Sequence, residues 1–179
     1  MINENFAIKK EVKKEYPPIP ENIYQAEVLD ITYKLNEYQK DKKEEYIFNF
    51  QFTLLAGKDK DGSDLRGRNI WMNFVPTYLF IGNKGKNKLY KLIEAILGHE
   101  LSPEEENTLS SETINGLIGK QVRIIVKNKT KNDKTYSNIE NLLPIEQTLP
   151  PLTEEEKDKA SVKTEKTETK GIDLADIPF

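Results

Sequence analysis

The sequence predicts a mainly β domain with a helical insertion and a polar, unfolded tail. Three observations carry this. Apolar residues recur at strand spacing in several segments, one block in mid-chain switches to helical spacing, and the apolar pattern ends after Leu149-Pro150-Pro151.

Residues 1–20 are charged and end in Tyr16-Pro17-Pro18-Ile19-Pro20, an extended, proline-stiffened lead-in. Ile23 to Leu35 is β-rich, with Val28, Leu29, Ile31 and Tyr33. From Tyr46 to Leu55 the alternation is clean. Tyr46, Phe48, Phe50, Phe52 and Leu54 share one face, and Asn49, Gln51 and Thr53 share the other. The Asp61-Gly62 step in the link Gly57–Ser63 signals a hairpin whose return strand is Arg68 to Val75. Leu89, Leu92, Ile93, Ile96 and Leu97 then follow helical spacing up to a stop at Gly98. Ser102-Pro103-Glu104-Glu105 announces a second, short helix through a capping box with proline at its first position. Gln121 to Lys129 alternates again, Asn132-Asp133 turns the chain, and Thr135 to Leu143 closes the series.

Three strands, an intervening helical block and two closing strands match a five-stranded OB-type barrel with its insertion between strands 3 and 4. An α+β sandwich built from the same elements is the alternative. The expected division is a lead-in at 1–20, an OB-like domain at 21–146, and a disordered acidic tail at 147–179. Apart from Asp158 and Val162, residues 153–170 are Glu, Lys, Thr, Ser and Ala, with almost no apolar mass to fold.

The net charge of −3 conceals an asymmetry. Residues 1–145 carry 22 Lys and Arg against 21 Asp and Glu, whereas residues 146–179 carry 5 against 9. The acidic balance therefore sits on the tail and argues little against an anionic ligand on the domain. With no cysteine and one histidine, disulfides and a Cys/His zinc site are excluded. No cofactor or metal is expected. Asp59-Lys60-Asp61-Gly62 has the look of a calcium loop, but Ile70 stands where the closing glutamate belongs. No apolar run approaches the ~20 residues of a membrane span, and the first residues lack signal-peptide features. An intracellular, cytoplasmic protein without a membrane partner is expected.

The aromatic ladder Tyr46, Phe48, Phe50 and Phe52 lies on the apolar face and reads as core. Trp71 is different: if Ile70, Met72 and Phe74 face inward, Trp71 points out between Asn69 and Asn73. An outward Trp flanked by amides suits base stacking, with burial under a loop as the plain alternative. With Val122, Ile124, Val126 and Ile139 inward, Arg123, Lys127 and Lys129 share the outer side with Lys134, Tyr136 and Asn138. Cations beside an outward Tyr combine phosphate attraction with stacking, although outward lysines on a strand are ordinarily a solvated face. Arg66 and Arg68 open the third strand, and Lys84, Lys86 and Lys88 precede the long helix. The latter segment is no P-loop, since Asn87 replaces the required Ser or Thr. Neither His99 nor any group of carboxylates demands catalysis, so a non-enzymatic protein is expected.

The final residues Gly171-Ile172-Asp173-Leu174-Ala175-Asp176-Ile177-Pro178-Phe179 expose apolar groups in an otherwise polar tail. Asp176-Ile177-Pro178-Phe179 closely resembles the acidic tip of bacterial single-stranded-DNA-binding proteins, with Leu174 and Ala175 interrupting its acidic run. The resemblance implies a tip, from Asp173 and Asp176 to Ile177, Pro178 and Phe179, that docks on replication, recombination or repair proteins. Over roughly 22–143, the body resembles phage and mobile-element proteins proposed to bind single-stranded DNA. The shared patterns are Ile23-Tyr24-Gln25-Ala26-Glu27-Val28, Lys88-Leu89-Tyr90-Lys91-Leu92, Gly119-Lys120-Gln121-Val122-Arg123 and Lys134-Thr135-Tyr136-Ser137-Asn138-Ile139. The expected partners are thus single-stranded DNA and a helicase, primase, polymerase or mediator at the tip, with a second copy of the chain as a further candidate. A protein-interaction adaptor that binds no DNA is the competing expectation.

Overall fold

The computed structural model describes residues 16–36 and 46–161. Five long strands form one antiparallel sheet: β1 (Asn22–Leu35), β2 (Tyr46–Leu54), β3 (Asn69–Pro76), β6 (Gln121–Lys131) and β7 (Lys134–Leu143). Their spatial order is β3-β2-β1-β6-β7. A two-stranded hairpin, β4 (Ile81–Gly82) with β5 (Gly85–Lys86), and three helices, α1 (Lys88–Leu97), α2 (Pro103–Asn107) and α3 (Ser111–Asn115), lie between β3 and β6. A fourth helix, α4 (Glu154–Ser161), follows the sheet.

β1 organises the sheet because it serves two partners. Asn22–Glu27 pair with β6, and Ala26–Leu35 pair with β2 across a register shift between Val28 and Asp30. Such a bulge bends a strand and raises its twist, and the sheet coils until β3 and β7 approach each other. They do not join in a hydrogen-bonded ladder, so the sheet is curled rather than closed into the expected barrel. α1 packs against β3, β6 and β7 at this opening. Its apolar stripe, with Leu92 and Ile93 fully buried, completes the core of Val28, Phe50, Phe52, Val75, Val122 and Ile124.

The ends of α1 are set by chemistry next to it in sequence. The Asn87 side chain accepts from the Tyr90 amide (3.1 Å), and Gly98 takes a left-handed φ of 81° while donating to Glu94 O (2.8 Å). α2 carries the expected box between Ser102 and Glu105. Asn132 and Asp133, with φ of 51° and 59°, make the two-residue turn that joins β6 and β7. The β4–β5 hairpin and α3 are too short to show a period in the sequence.

The tail departs from expectation over its first half. Residues 147–161 lie on the domain, with Leu152 buried and α4 formed. Thr153 and Glu156 exchange a reciprocal cap: Thr153 N donates to Glu156 Oε2 (2.8 Å) and Glu156 N to Thr153 Oγ1 (3.3 Å). That pattern, Thr-x-x-Glu, is a helix-start signal that outweighs the polar composition of the segment. Residues 162–179 lie outside the described residues, and the expected partner-docking tip, Asp173 to Phe179, lies among them. Among the described residues no helix is long and apolar enough to cross a membrane.

Candidate nucleic-acid interface

The outer face of β3 carries Trp71, which is 44% exposed, as its alternation with buried Ile70 and Met72 requires. Its register partner on β2 is Gln51. That side chain points outward yet is buried, and its Nε2 has no hydrogen-bond partner. Asn69 is engaged, accepting from Thr53 Oγ1 (2.7 Å) and donating to Ala160 O (2.7 Å).

Phe74 corrects the simple alternation. Phe48 pairs with Val75 and Phe50 with Met72, so Asn73 and Phe74 together oppose Asn49. The inserted residue places Val75 in the core and leaves Phe74 52% exposed. Phe74 has φ of 58°, and its amide donates to Asn49 Oδ1 (3.2 Å). A non-glycine residue in this region stores strain of about 1–2 kcal/mol. Beyond it, Tyr78, Phe80 and Ile81 are exposed as well. These exposed aromatics follow no strand or helix period, but one local signal accompanies them in the sequence. From Leu65 to Ile93 the chain carries Arg66, Arg68, Lys84, Lys86, Lys88 and Lys91 and no Asp or Glu.

Most of the expected phosphate-binding cations hold partners inside the protein. Arg66 reaches Glu156 with Nε (2.8 Å) and Nη2 (3.2 Å), and it also donates to the carbonyls of Leu55, Pro150 and Pro151. The guanidinium contact holds the Glu156 carboxyl down at about 2. Arg68 stacks 4.9 Å from the Tyr16 ring centre and donates to Pro17 O (2.8 Å). Lys86 pairs with Glu94 (2.6 Å) beneath the Tyr90 ring, and Lys88 donates to Asn73 O (2.7 Å), its pKa lowered by burial. Arg123 binds Pro144 O (2.8 Å) and Glu146, and Lys127 stands 3.6 Å from Glu21. Lys84, at the tip of the β4–β5 hairpin, and Lys134 are exposed and form no ion pair among the described residues. Tyr136 is exposed opposite Lys129, near the β6–β7 turn.

The structure does not bring Trp71 and Arg123 together. Arg123 opposes Gln25 on β1, whereas Trp71 belongs to the row of Gln51 and Asp30. Three strand steps of about 4.8 Å and five residues of row separate them. The tail segment lies across the face between these rows. Gln121 exchanges two hydrogen bonds with the Leu149 backbone (2.7 and 3.0 Å), Gln25 donates to Gln147 O (2.8 Å), and Lys157 stands 3.5 Å from Glu27. This explains why Glu27, beside Lys157, and Thr53, beside the Asn69 side chain that donates to Ala160 O, are buried although they are polar residues on an outer face.

Where β3 and β7 fail to join, Met72, Lys88, Lys91, Ile125, Glu140, Asn141 and Leu142 line an open cleft of about 450 Å³. His99 pairs with Glu105 (2.9 Å), which raises the histidine pKa, while the Ser102 amide (2.8 Å) and then His99 hold the Glu105 carboxyl down at about 2. Among the described residues no three His, Cys, Asp or Glu side chains converge to hold a metal ion. No protein-family model matches the chain, and a search of curated proteins finds no relative.

Proposed function

We propose that this chain is a non-enzymatic single-stranded-DNA-binding protein of the OB type. On this reading it coats DNA during replication or recombination in the cytoplasm of a bacterial or phage-infected cell. It recruits partner proteins through Asp173, Asp176, Ile177, Pro178 and Phe179. The observation that carries the reading is Trp71, exposed on the outer face of β3 beside β2 within an acid-free, cation-bearing stretch. In OB folds the face of the second and third strands is the one that receives oligonucleotides. The strand order β3-β2-β1-β6-β7, with α1 at the β3–β7 opening, supports the same assignment.

An adaptor that binds protein rather than DNA is favoured by one observation. Arg66, Arg68 and Arg123 already hold partners within the chain, and Lys127 faces Glu21. A titration with oligo-dT at several salt concentrations, read by the single tryptophan, separates the two. The DNA reading expects quenching, affinity that falls with salt, and preference over duplex. It also expects Trp71→Ala to lose about 1–3 kcal/mol of binding. Affinity that is flat across salt or equal for duplex rejects it.

A further inference from the structure

We propose that Phe74, Tyr78 and Phe80, with Lys84, form a second stacking platform, so that single-stranded DNA continues from Trp71 past the end of β3 onto the β4–β5 turn. This rests on the single-stranded-DNA reading above and names a part of the path that Trp71 alone does not supply.

These three rings are exposed within seven residues of chain, and Phe80, at 58%, is the most open. Water-facing aromatics of this kind mark interaction surfaces when they gather. Two features make them a platform rather than loose apolar residues. The segment is tied down: Asn87 donates to Tyr78 O (2.7 Å) from its side chain and to Phe80 O (2.8 Å) from its backbone, and Lys88 holds Asn73 O. The Phe80 ring also has a supported side, because a Cβ placed on Gly82 would stand 2.6 Å from ring atom Cε1. A ring backed by main chain and open to water can accept a base on its free face, and the tethers mean that little ordering accompanies binding.

Charge selects the occupant. Of the cations between Leu65 and Ile93, Arg66 and Lys86 are paired with Glu156 and Glu94, whereas Lys84, exposed at the hairpin tip, has no ion pair among the described residues. Aromatics with unpaired positive charge fit a polyanion that offers unstacked rings. Trp71 and Phe74 are about 10 Å apart along β3, a span of roughly three stacked nucleotides. One continuous strand can therefore serve both places.

The test compares wild type with the double substitution Tyr78→Ala and Phe80→Ala, using oligo-dT from about 4 to about 20 nucleotides, a range that brackets known site sizes. Both side chains are exposed, and circular dichroism checks that the fold is kept. The shortest oligonucleotides should quench Trp71 equally in both proteins. The longer ones should bind the variant roughly 5- to 150-fold more weakly, the equivalent of one lost stack. Lys84→Gln should lower the slope of log affinity against log salt by about one while leaving the rings in place. Equal affinity at every length overturns the platform. So does unchanged DNA binding together with a loss of self-association in sedimentation, which makes the rings a contact between copies. If wild type itself binds no oligonucleotide, the single-stranded-DNA reading falls and the platform falls with it. A variant defect confined to long oligonucleotides occurs only if both hold.

Discussion

Leu152 anchors the tail segment, and Leu152→Ala should detach that segment without unfolding the sheet. The side chain is 4% exposed, and truncating a leucine buried to this degree in a core costs about 2–5 kcal/mol. Here the loss is capped, because residues 147–161 can leave the sheet as a unit once their docking free energy is exceeded. That docking is opposed from beneath. Beside the Oε1 atom that stands 3.5 Å from Lys157, Glu27 Oε2 is buried without a partner, and such an atom costs about 1–3 kcal/mol that water would return. Loss of the Leu152 contact should therefore tip the balance towards the open form. Hydrogen exchange provides the assay. The Leu149 amide, held by Gln121 Oε1, and the Lys157 amide, held by Thr153 O, should lose protection. The Val28 amide, which donates to Lys120 O within the sheet, should keep it. Limited proteolysis should cut between 147 and 161 in the variant first. If Val28 loses protection in parallel with Leu149, the segment is an integral part of the cooperative core and the reasoning fails. If neither changes, Leu152 does not anchor the segment.

Four further outcomes are expected. Glu156 and Glu105 both have carboxyl pKa values lowered to about 2 by their partners. Each therefore contributes stability that is present above the ordinary value of 4.5 and is lost as pH falls towards 2. Pepsin sensitivity of the tail segment should rise through this window, and Glu156→Gln should make the segment sensitive at higher pH; identical profiles would count against the Arg66 contact. Conversely, His99 is raised above 6.5, so its contribution is complete below 6.5 and is lost as pH climbs through the raised value; NMR titration of the ring reads this directly, and Glu105→Gln should bring the midpoint down. Leu92→Ala, at a fully buried position where α1 meets the sheet, should lower global stability by about 2–5 kcal/mol in urea titration. Deleting Asp176 to Phe179 should leave the melting transition and oligo-dT affinity unchanged while abolishing capture of a helicase, primase or mediator; capture that survives the deletion would refute the tip's role.

The features legible in the sequence are those whose causes lie within a few residues. The alternation of Phe48, Phe50 and Phe52 found β2, the spacing from Leu89 to Leu97 found α1, and Gly98, Ser102 and Asn132-Asp133 marked ends and turns. Trp71 belongs here too, because the inward neighbours Ile70 and Met72 require it to face out. The helix start at Thr153 and the acid-free run from Leu65 to Ile93 are equally local signals, the first set against a polar composition that by itself points to an unfolded tail.

The tertiary structure decided everything that depends on a distant partner. Phe74 breaks alternation because the β2 register inserts a residue opposite Asn49, and no property of β3 alone specifies that. Arg66 reads as a free cation at the start of a strand until Glu156, ninety residues later, is brought to it. Glu27 and Thr53, polar residues on the outer face, read as solvated until the tail covers them. Whether the coiled sheet closes depends on how near two strands at opposite edges can come once α1 packs between them. Periodicity reports which side of an element is apolar, because that is a property of neighbouring residues. Which atom occupies the other side is a property of chain packing, and only the assembled fold contains it.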